Sequence, residues 1–242
     1  MSSIGIYGSH GRMGMAIQDI LASEGVRYAG GADATDDPAP VAHAADALVD
    51  FSSPAALEAH LEAARSAGTP IVIGTTGLTT QHHALIDKAA HDIAVLQTGN
   101  TSLGVVLLAR LVREAASRLG PDWDIEIVEA HHRHKLDAPS GTALMLGEAA
   151  AAGREVSLGE VRVADRAGLS GARAEGTIGF ASIRGGSIVG DHHVIFAGTG
   201  ERIELAHLAQ DRAIFARGAV KAALWLAGQP AGRYNMDAVL GL

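Results

Sequence analysis

The chain has 242 residues, 48% of them apolar and 19% charged, with 30 glycines that follow no period; disordered and collagen-like classes are excluded. A formal net charge of −8 and an aromatic content of 4% argue against DNA or RNA as a partner, because a polyanion is repelled on average and its bases find few rings to stack on. Without cysteine there are no disulfides, thiolate nucleophiles or cysteine-ligated zinc, and no apolar run reaches the roughly 18 residues of a membrane span.

The N-terminal MSSIGIYG runs straight into a strand-like segment with no signal-peptide pattern, which predicts a cytoplasmic protein with no membrane partner. Short apolar runs then alternate with longer amphipathic ones. Strands are predicted at Ser3–Tyr7, Arg27–Ala32, Ala47–Phe51, Ile71–Gly74 and Ile93–Gln97, and helices at Arg12–Ala22, Pro54–Ala67 and Thr80–His91. Ser53 is the expected N-cap of the second helix, with Pro54 at its first position. Such alternation is the pattern of a parallel sheet covered by crossover helices.

A longer apolar helix, Leu103–Leu119, opens a different texture, with strands predicted at Asp124–Ala130, Thr177–Ile183, Ser187–Phe196 and Arg202–Leu208. Gly185-Gly186 and Gly198-Thr199-Gly200 supply turns among the last three, so a mixed or antiparallel sheet is expected. Ile188, Val194 and Phe196 suit either an interface or a core. A final helix, Asp211–Leu226, carries Ile214, Phe215, Val220 and Leu224 on one face and is expected to return over the first domain. The fold class is therefore α/β: an N-terminal Rossmann-like doubly wound parallel sheet over residues 1–102, completed by 212–242, and a second α+β domain on a mixed or antiparallel sheet over 103–211.

In IGIYGSHGRMG, Gly8, Gly11 and Gly14 lie between the first strand and first helix, spaced G-x-x-G-x-x-G with His10 between the first two. Glycine there lets backbone approach a pyrophosphate, and the helix N-terminus attracts its charge; a purely structural turn fits the same pattern. Asp33, 22 residues after Gly11, stands where a carboxylate accepts from an adenosine ribose. Ala34 follows it rather than arginine, which favours NADH over NADPH, while Arg12 pulls the other way. Gly74-Thr75-Thr76-Gly77 and Thr98-Gly99-Asn100-Thr101 fall at carboxyl ends of predicted strands, either as nicotinamide contacts or as ordinary turns.

EAHHRHKLDAPSGTA, from Glu129 to Ala143, is the densest cluster of cations in the chain. A zinc site is disfavoured because Arg133 and Lys135 oppose a divalent cation; a solvated basic edge is the plain alternative. The third reading takes Pro139 and Ser140 as a helix start, with Gly141 and Thr142 exposing N–H groups and a hydroxyl beside Lys135 and His132. A helix mouth facing cations is a receptor for carboxylates, so a small polyacid is the expected ligand.

The same run, with GRMG, VIGTTG, GTIGFASIRGGSIVG and FARGAVKAALWL in order, resembles the 4-hydroxy-tetrahydrodipicolinate reductase (dihydrodipicolinate reductase) family of bacterial lysine and diaminopimelate synthesis. That resemblance implies reduction of a cyclic conjugated dicarboxylate by NADH or NADPH, with no metal. It makes His131 a proton donor or acceptor and Lys135 a second donor, and assigns the substrate carboxylate to His132, Ser140, Gly141 and Thr142. Gly8, Ser9, His10, Gly11, Arg12, Met13, Asp33, Gly74, Thr75, Thr76, Thr98, Gly99, Asn100 and Thr101 would line the cofactor. It further implies a homotetramer built on the second domain's sheet, and two domains that close over substrate. His10 departs from the glycine of many relatives, and Thr98 to Thr101 is a variant segment. Histidine supplies a proton near neutral pH, and cationic neighbours such as Arg133 are expected to favour neutral Lys135. Another nicotinamide-dependent reductase of this architecture, or a carboxylate-sensing protein without turnover, is consistent with the residues alone.

Overall fold

The computed structural model describes residues 2–164, 166–169 and 171–242. Contacts divide it into two compact units, one taking the chain up to Leu103 together with Ala213–Leu242, the other Gly104–Arg212. Among the described residues no helix is long and apolar enough to cross a membrane.

The first unit begins with β1 (Ser3–Tyr7), buried at every position, as a parallel strand covered on both faces must be. α1 (Arg12–Glu24) buries Ile17, Ile20 and Leu21 and stops at Gly25, whose φ of 68° is the left-handed cap that glycine adopts without penalty. There follow β2 (Arg27–Ala32), α2 (Ala39–Ala44), β3 (Ala47–Asp50), a 3-10 turn at Pro54–Ala56, α3 (Leu57–Ala67), β4 (Ile71–Ile73), α4 (Thr80–Ala89) and β5 (Ala94–Gln97). Ser53 holds the N-cap position without a side-chain hydrogen bond. Thr79 caps α4 in a reciprocal box with His82.

The second unit runs from α5 (Leu103–Leu119) through β6 (Asp124–His131), α6 (Gly141–Gly153), α7 (Leu158–Val161), β7 (Arg162–Val163), β8 (Ile178–Arg184), β9 (Gly190–Gly198) and β10 (Glu201–Ala209). The chain then returns to the first unit as α8 (Ala213–Leu226), β11 (Gly232–Tyr234) and α9 (Met236–Leu240).

The first sheet has the order β11-β5-β4-β3-β1-β2 and is parallel throughout. Its strand order reverses between β1 and β3, so the crevice at their carboxyl ends is the expected ligand site of such a sheet. α8 packs on α1 and on β3 and β4, as expected, but through other residues. Of the four expected apolar positions only Val220 is fully buried; Ala216, Gly218, Ala219, Ala222 and Ala223 form the rest of the face. Small side chains let the helix come close: a Cβ on Gly218 would lie 1.7 Å from the Thr101 carbonyl oxygen. β11 was not predicted, because Gly-Arg-Tyr carries no strand periodicity and gains its place only by pairing with β5.

The second sheet has the order β10-β9-β6-β8-β7; β6 is parallel to β8 and antiparallel to β9. The Gly185-Gly186 turn is therefore not a hairpin. It carries the chain across the end of β6, where Gly185 N donates to the His131 carbonyl at 2.9 Å and Arg133 N to Gly186 O at 3.3 Å. Val194 and Phe196 are core, 0% exposed, packed with Ile125, Ile127, Phe180 and residues of α5 and α6.

Candidate active site

At the end of β1, Gly8 has φ 81°, and a Cβ there would meet the Phe51 carbonyl oxygen at 2.7 Å. A Cβ on Gly14 would lie 2.3 Å from the Gly8 carbonyl oxygen. Both glycines are thus required to fold α1 tightly onto the strand end. Gly11 occupies the N-cap of α1 with no side-chain cap, and no acidic residue stands in the first turn, which leaves a positive helix end suited to a phosphate. The cradle fits a dinucleotide pyrophosphate. Arg12 is exposed and Met13 half-buried in that turn.

Asp33 follows β2 and accepts from Ser9 Oγ at 2.6 Å and from His10 N at 3.2 Å, with His10 Nδ1 3.0 Å away. Burial pushes its carboxyl up, but the bonds from Ser9 and His10 outweigh that and hold it below the usual range. The residues expected to line the nicotinamide divide by direction. Thr75 is buried and donates to Asp50 Oδ1 at 3.1 Å; Thr101 is buried and donates to the Phe215 carbonyl at 2.7 Å. Gly74 is small because of Phe51, whose ring a Cβ would meet at 2.2 Å. Thr76 and Gly99 face solvent, while Thr98 Oγ1 and Asn100 are bound to one another in the loop after β5.

Beneath these loops, Asp50 is fully buried and accepts from Ser52 N, Ser52 Oγ and Thr75 Oγ1, with His60 Nδ1 2.8 Å from its second oxygen. The carboxylate ties the turn after β3 to the turn after β4. Sequence reading missed it, although an aspartate closing a buried apolar strand is itself a signal, since burial of an unpaired charge is so costly.

In the second unit, β6 alternates buried and half-buried residues. Its buried row is apolar at Ile125 and Ile127, then becomes polar at Glu129 and His131. Neighbouring strands change with it: Ile125 registers with Ile178 and Phe196, Ile127 with Phe180 and Val194, but Glu129 with Ser182 and His192, and His131 with Arg184. The core thus ends and an ionic cluster begins within one strand. His131 Nδ1 lies 2.6 Å from Glu129 Oε2, and Arg184 reaches both Glu129 oxygens at 2.7 Å. Burial pushes the Glu129 carboxyl up, yet bonds from Arg184, His131 and Ser182 bring it down to about 2.

The three motif histidines differ in their surroundings. His131 turns inward; His132 Nε2 lies 2.9 Å from Arg212 Nη2; His134 is exposed. Burial, then the charge of Arg212, lowers the His132 pKa. A neutral His132 accepts at Nε2 and carries its proton on Nδ1, which is buried and has no hydrogen-bond partner among the described residues. Lys135 Nζ pairs with Asp137 at 2.9 Å, so an anion stands at the lysine where the sequence suggested the cation Arg133.

α6 begins as expected, with Ser140 as N-cap accepting from Ala143 N at 3.1 Å. The Ser140 hydroxyl, expected to hold substrate, is 2.9 Å from His192 Nε2 and its residue is 2% exposed; it is engaged within the protein. Gly141 is exposed, has no positive φ, and a Cβ there would meet nothing within 4 Å. No internal packing requires a glycine at that point, which leaves room for a ligand as the reason.

Two family models match the chain: the dihydrodipicolinate reductase N-terminus over residues 2–101 and its C-terminus over 104–240. This chain belongs to the dihydrodipicolinate reductase family. Among curated relatives it is 54% identical over 246 residues to the 4-hydroxy-tetrahydrodipicolinate reductase of Zymomonas mobilis subsp. mobilis, covering 99% of this chain and 97% of that one. It is 49% identical over 266 residues to that of Cereibacter sphaeroides, covering 100% and 99%. The solved structure of dipicolinate-bound dihydrodipicolinate reductase from Paenisporosarcina sp. TG-14 has a TM-score of 0.74 over 97% of each chain at 23% identity, a likeness of fold.

As a member of that family the chain is an oxidoreductase, and its first unit includes the family's pyridine-nucleotide domain. Sequence reading of the reductase missed Arg184, Arg212 and His192, which lie 55, 80 and 52 residues from their partners Glu129, His132 and Ser140. No local pattern marks them. His192 is 4% exposed; burial first, then the charge of His131, lowers its pKa to about 4. The folded state keeps it neutral while the unfolded chain protonates near 6.5, so stability is present above that value and lost as pH falls toward 4. The loss should reach about 2 kcal/mol at pH 5. Urea midpoints of the reductase and of His192→Gln, compared at pH 7 and pH 5, should show a pH-dependent gap; a constant gap would show that His192 is not neutral in the fold.

Proposed function

We propose that this chain reduces 4-hydroxy-tetrahydrodipicolinate to tetrahydrodipicolinate in lysine and diaminopimelate biosynthesis, acting in the cytoplasm as a homotetramer. What carries the reading is the whole-length family match together with the motif's place: His131 at the end of β6, and Gly141 opening α6 onto free space. When bound, reduced nicotinamide supplies a hydride, so that substrate, that hydride and one proton balance tetrahydrodipicolinate and water.

The chain's own residues do the rest. His131 holds the one proton to be delivered, and Lys135 is the second group able to donate it. His132, through its unpartnered Nδ1–H, and Gly141 and Thr142 at the mouth of α6 hold the substrate carboxylates. Ser140 serves by shaping that mouth. Gly8, Ser9, His10, Gly11, Arg12 and Met13 hold the pyrophosphate, Asp33 the ribose, and Gly74 to Thr76 with Thr98 to Thr101 the nicotinamide end. Thr75 and Thr101 act through backbone, their hydroxyls being engaged inside.

NADH is the preferred cofactor in this reading. The Asp33 carboxylate, held ionised by Ser9 and His10, opposes a 2′-phosphate, and Ala34 offers it no cation. His10 and Arg12 work against that preference, so both cofactors are expected to serve. Support for the tetramer comes from the second sheet's uncovered face, where Ile183 and Leu208 are 53% and 57% exposed. A residue count of 103–211 for the substrate and assembly domain, and 1–102 with 212–242 for the nucleotide domain, belongs to the same reading.

The test is direct. Enzymatically generated 4-hydroxy-tetrahydrodipicolinate mixed with the protein and NADH should consume the reduced cofactor, followed by its absorbance. Binding of the acid without consumption would indicate a sensor and overturn the reading. Kinetic constants with NADH and NADPH set the cofactor ratio.

A further inference from the structure

Glu129 is 1% exposed and receives donors from three elements. Arg184 Nη1 and Nη2, on β8, donate to Oε2 and Oε1 at 2.7 Å each; Ser140 N, at the mouth of α6, donates to Oε1 at 3.2 Å; His131 Nδ1, on β6 itself, lies 2.6 Å from Oε2. Burying an ion pair brings little stability over an apolar pair of the same volume, so folding alone gives weak reason for this arrangement. Its consequences fall on the residues around it.

A carboxylate with a pKa near 2 only accepts. Its contact with Nδ1 therefore requires the proton on Nδ1, and the atom left for chemistry is Nε2. That atom looks toward Gly190 on β9, where a Cβ would stand 3.0 Å from it; glycine keeps the space in front of Nε2 open. Arg184 extends the arrangement, because Nη2 also donates to the Asp137 carbonyl at 2.6 Å, and the Asp137 carboxylate holds Lys135. One buried carboxylate thereby fixes the ring of His131, the loop bearing Lys135 and the first turn of α6.

We propose that Glu129, braced by Arg184, is the positioning residue for His131: it holds the proton on Nδ1, aims Nε2 at the space that Gly190 leaves open and stabilises the imidazolium from which Nε2 delivers its proton. This rests on the reading of His131 as proton donor. The charged and titratable groups around the ring are Glu129 from β6, Arg184 from β8 by way of that carboxylate, His192 from β9 with its ring centroid at 5.1 Å, and His132 from the loop, in which Lys135 and Asp137 pair with each other. Among the described residues, Glu129 is the anion in contact with the ring.

The experiment measures kinetics and nitrogen-15 imidazole spectra. In the wild type, His131 should show a protonated Nδ1. Glu129→Gln should lower kcat by about one to two orders of magnitude, a part of what a positioned donor supplies. KM should rise less than kcat falls, and the alkaline limb of kcat should move to lower pH, because the imidazolium has lost its counter-charge. Should the unpaired Arg184 prevent that variant from folding, Glu129→Met with Arg184→Met removes both charges together. That double variant should keep a depressed kcat and shift neutral His131 to the Nε2–H form. A wild-type ring with bare Nδ1, or a folded variant with wild-type turnover and an unmoved pH profile, overturns the proposal. His131→Ala separates the two levels: full turnover there defeats the donor reading itself, whereas its loss with an unaffected Glu129→Gln defeats only the positioning.

Discussion

Replacement of His131 by alanine is expected to lower kcat by about two to four orders of magnitude, the contribution of a well-placed general acid, while the affinity for NADH stays near wild type. The expectation follows from where the side chain sits. His131 is 8% exposed, its Nδ1 is held by Glu129, and its strand is stopped by the Gly185 N–H. The glycine loop belongs to the other unit. Lys135→Ala should also reduce turnover, and Asp137, its partner at 2.9 Å, should share in that effect by placing the ammonium. Turnover near wild type in both the histidine and the lysine variants would show that the proton comes from elsewhere. Stopped-flow measurement of cofactor oxidation, with cofactor affinity measured separately, distinguishes loss of chemistry from loss of binding.

Gly141→Ala is the second large effect, and its interest lies in a divergence between stability and function. Alanine at the first turn of a helix is ordinarily favourable by up to about 1 kcal/mol over glycine. Here a Cβ would meet nothing within 4 Å and the backbone is not left-handed, so the urea midpoint should be unchanged or slightly raised. Yet the methyl would enter the space assigned to a substrate carboxylate. Losing a charge-assisted hydrogen bond there costs about 1.5–3 kcal/mol, which corresponds to a KM increase of about tenfold to a hundredfold. A variant with both normal stability and normal KM would place the carboxylate elsewhere. Gly8→Ala and Gly14→Ala make the contrasting case, since backbone lies 2.7 Å and 2.3 Å from their Cβ positions and the loop itself must shift.

Comparison of these positions explains which parts of the protein were legible beforehand. The βα alternation of the first hundred residues, the start of α6 at Ser140 and the glycine loop depend on short-range rules of periodicity, capping and turn conformation, and each appears where those rules put it. Predicted strand ends differ by one residue at β3 and β4, which end at Asp50 and Ile73, and by up to three at β9, which begins at Gly190 rather than Ser187 and ends at Gly198 rather than Phe196. α2 and β11 were not foreseen, the former lying in a segment dominated by Asp and Pro, the latter depending on the free edge of β5. The gathering of His131, Lys135, Ser140 and Gly141 in one motif was evident, but their hydrogen-bond partners were not.

By itself the sequence determined the class of fold, the positive helix end after β1 and the cationic motif at the end of β6, because each arises from residues within one or two turns of chain. Tertiary structure decided that β6 lies between β8 and β9, and hence that Arg184 and His192 flank the motif from opposite sides. It also decided that Lys135 meets Asp137, and that the hydroxyls of Thr75, Thr101 and Ser140 face inward. The reason is physical: strand order and the pairing of buried charges are settled by contacts between residues dozens of positions apart, where burial makes every unpaired donor or acceptor costly, and no local pattern carries that information.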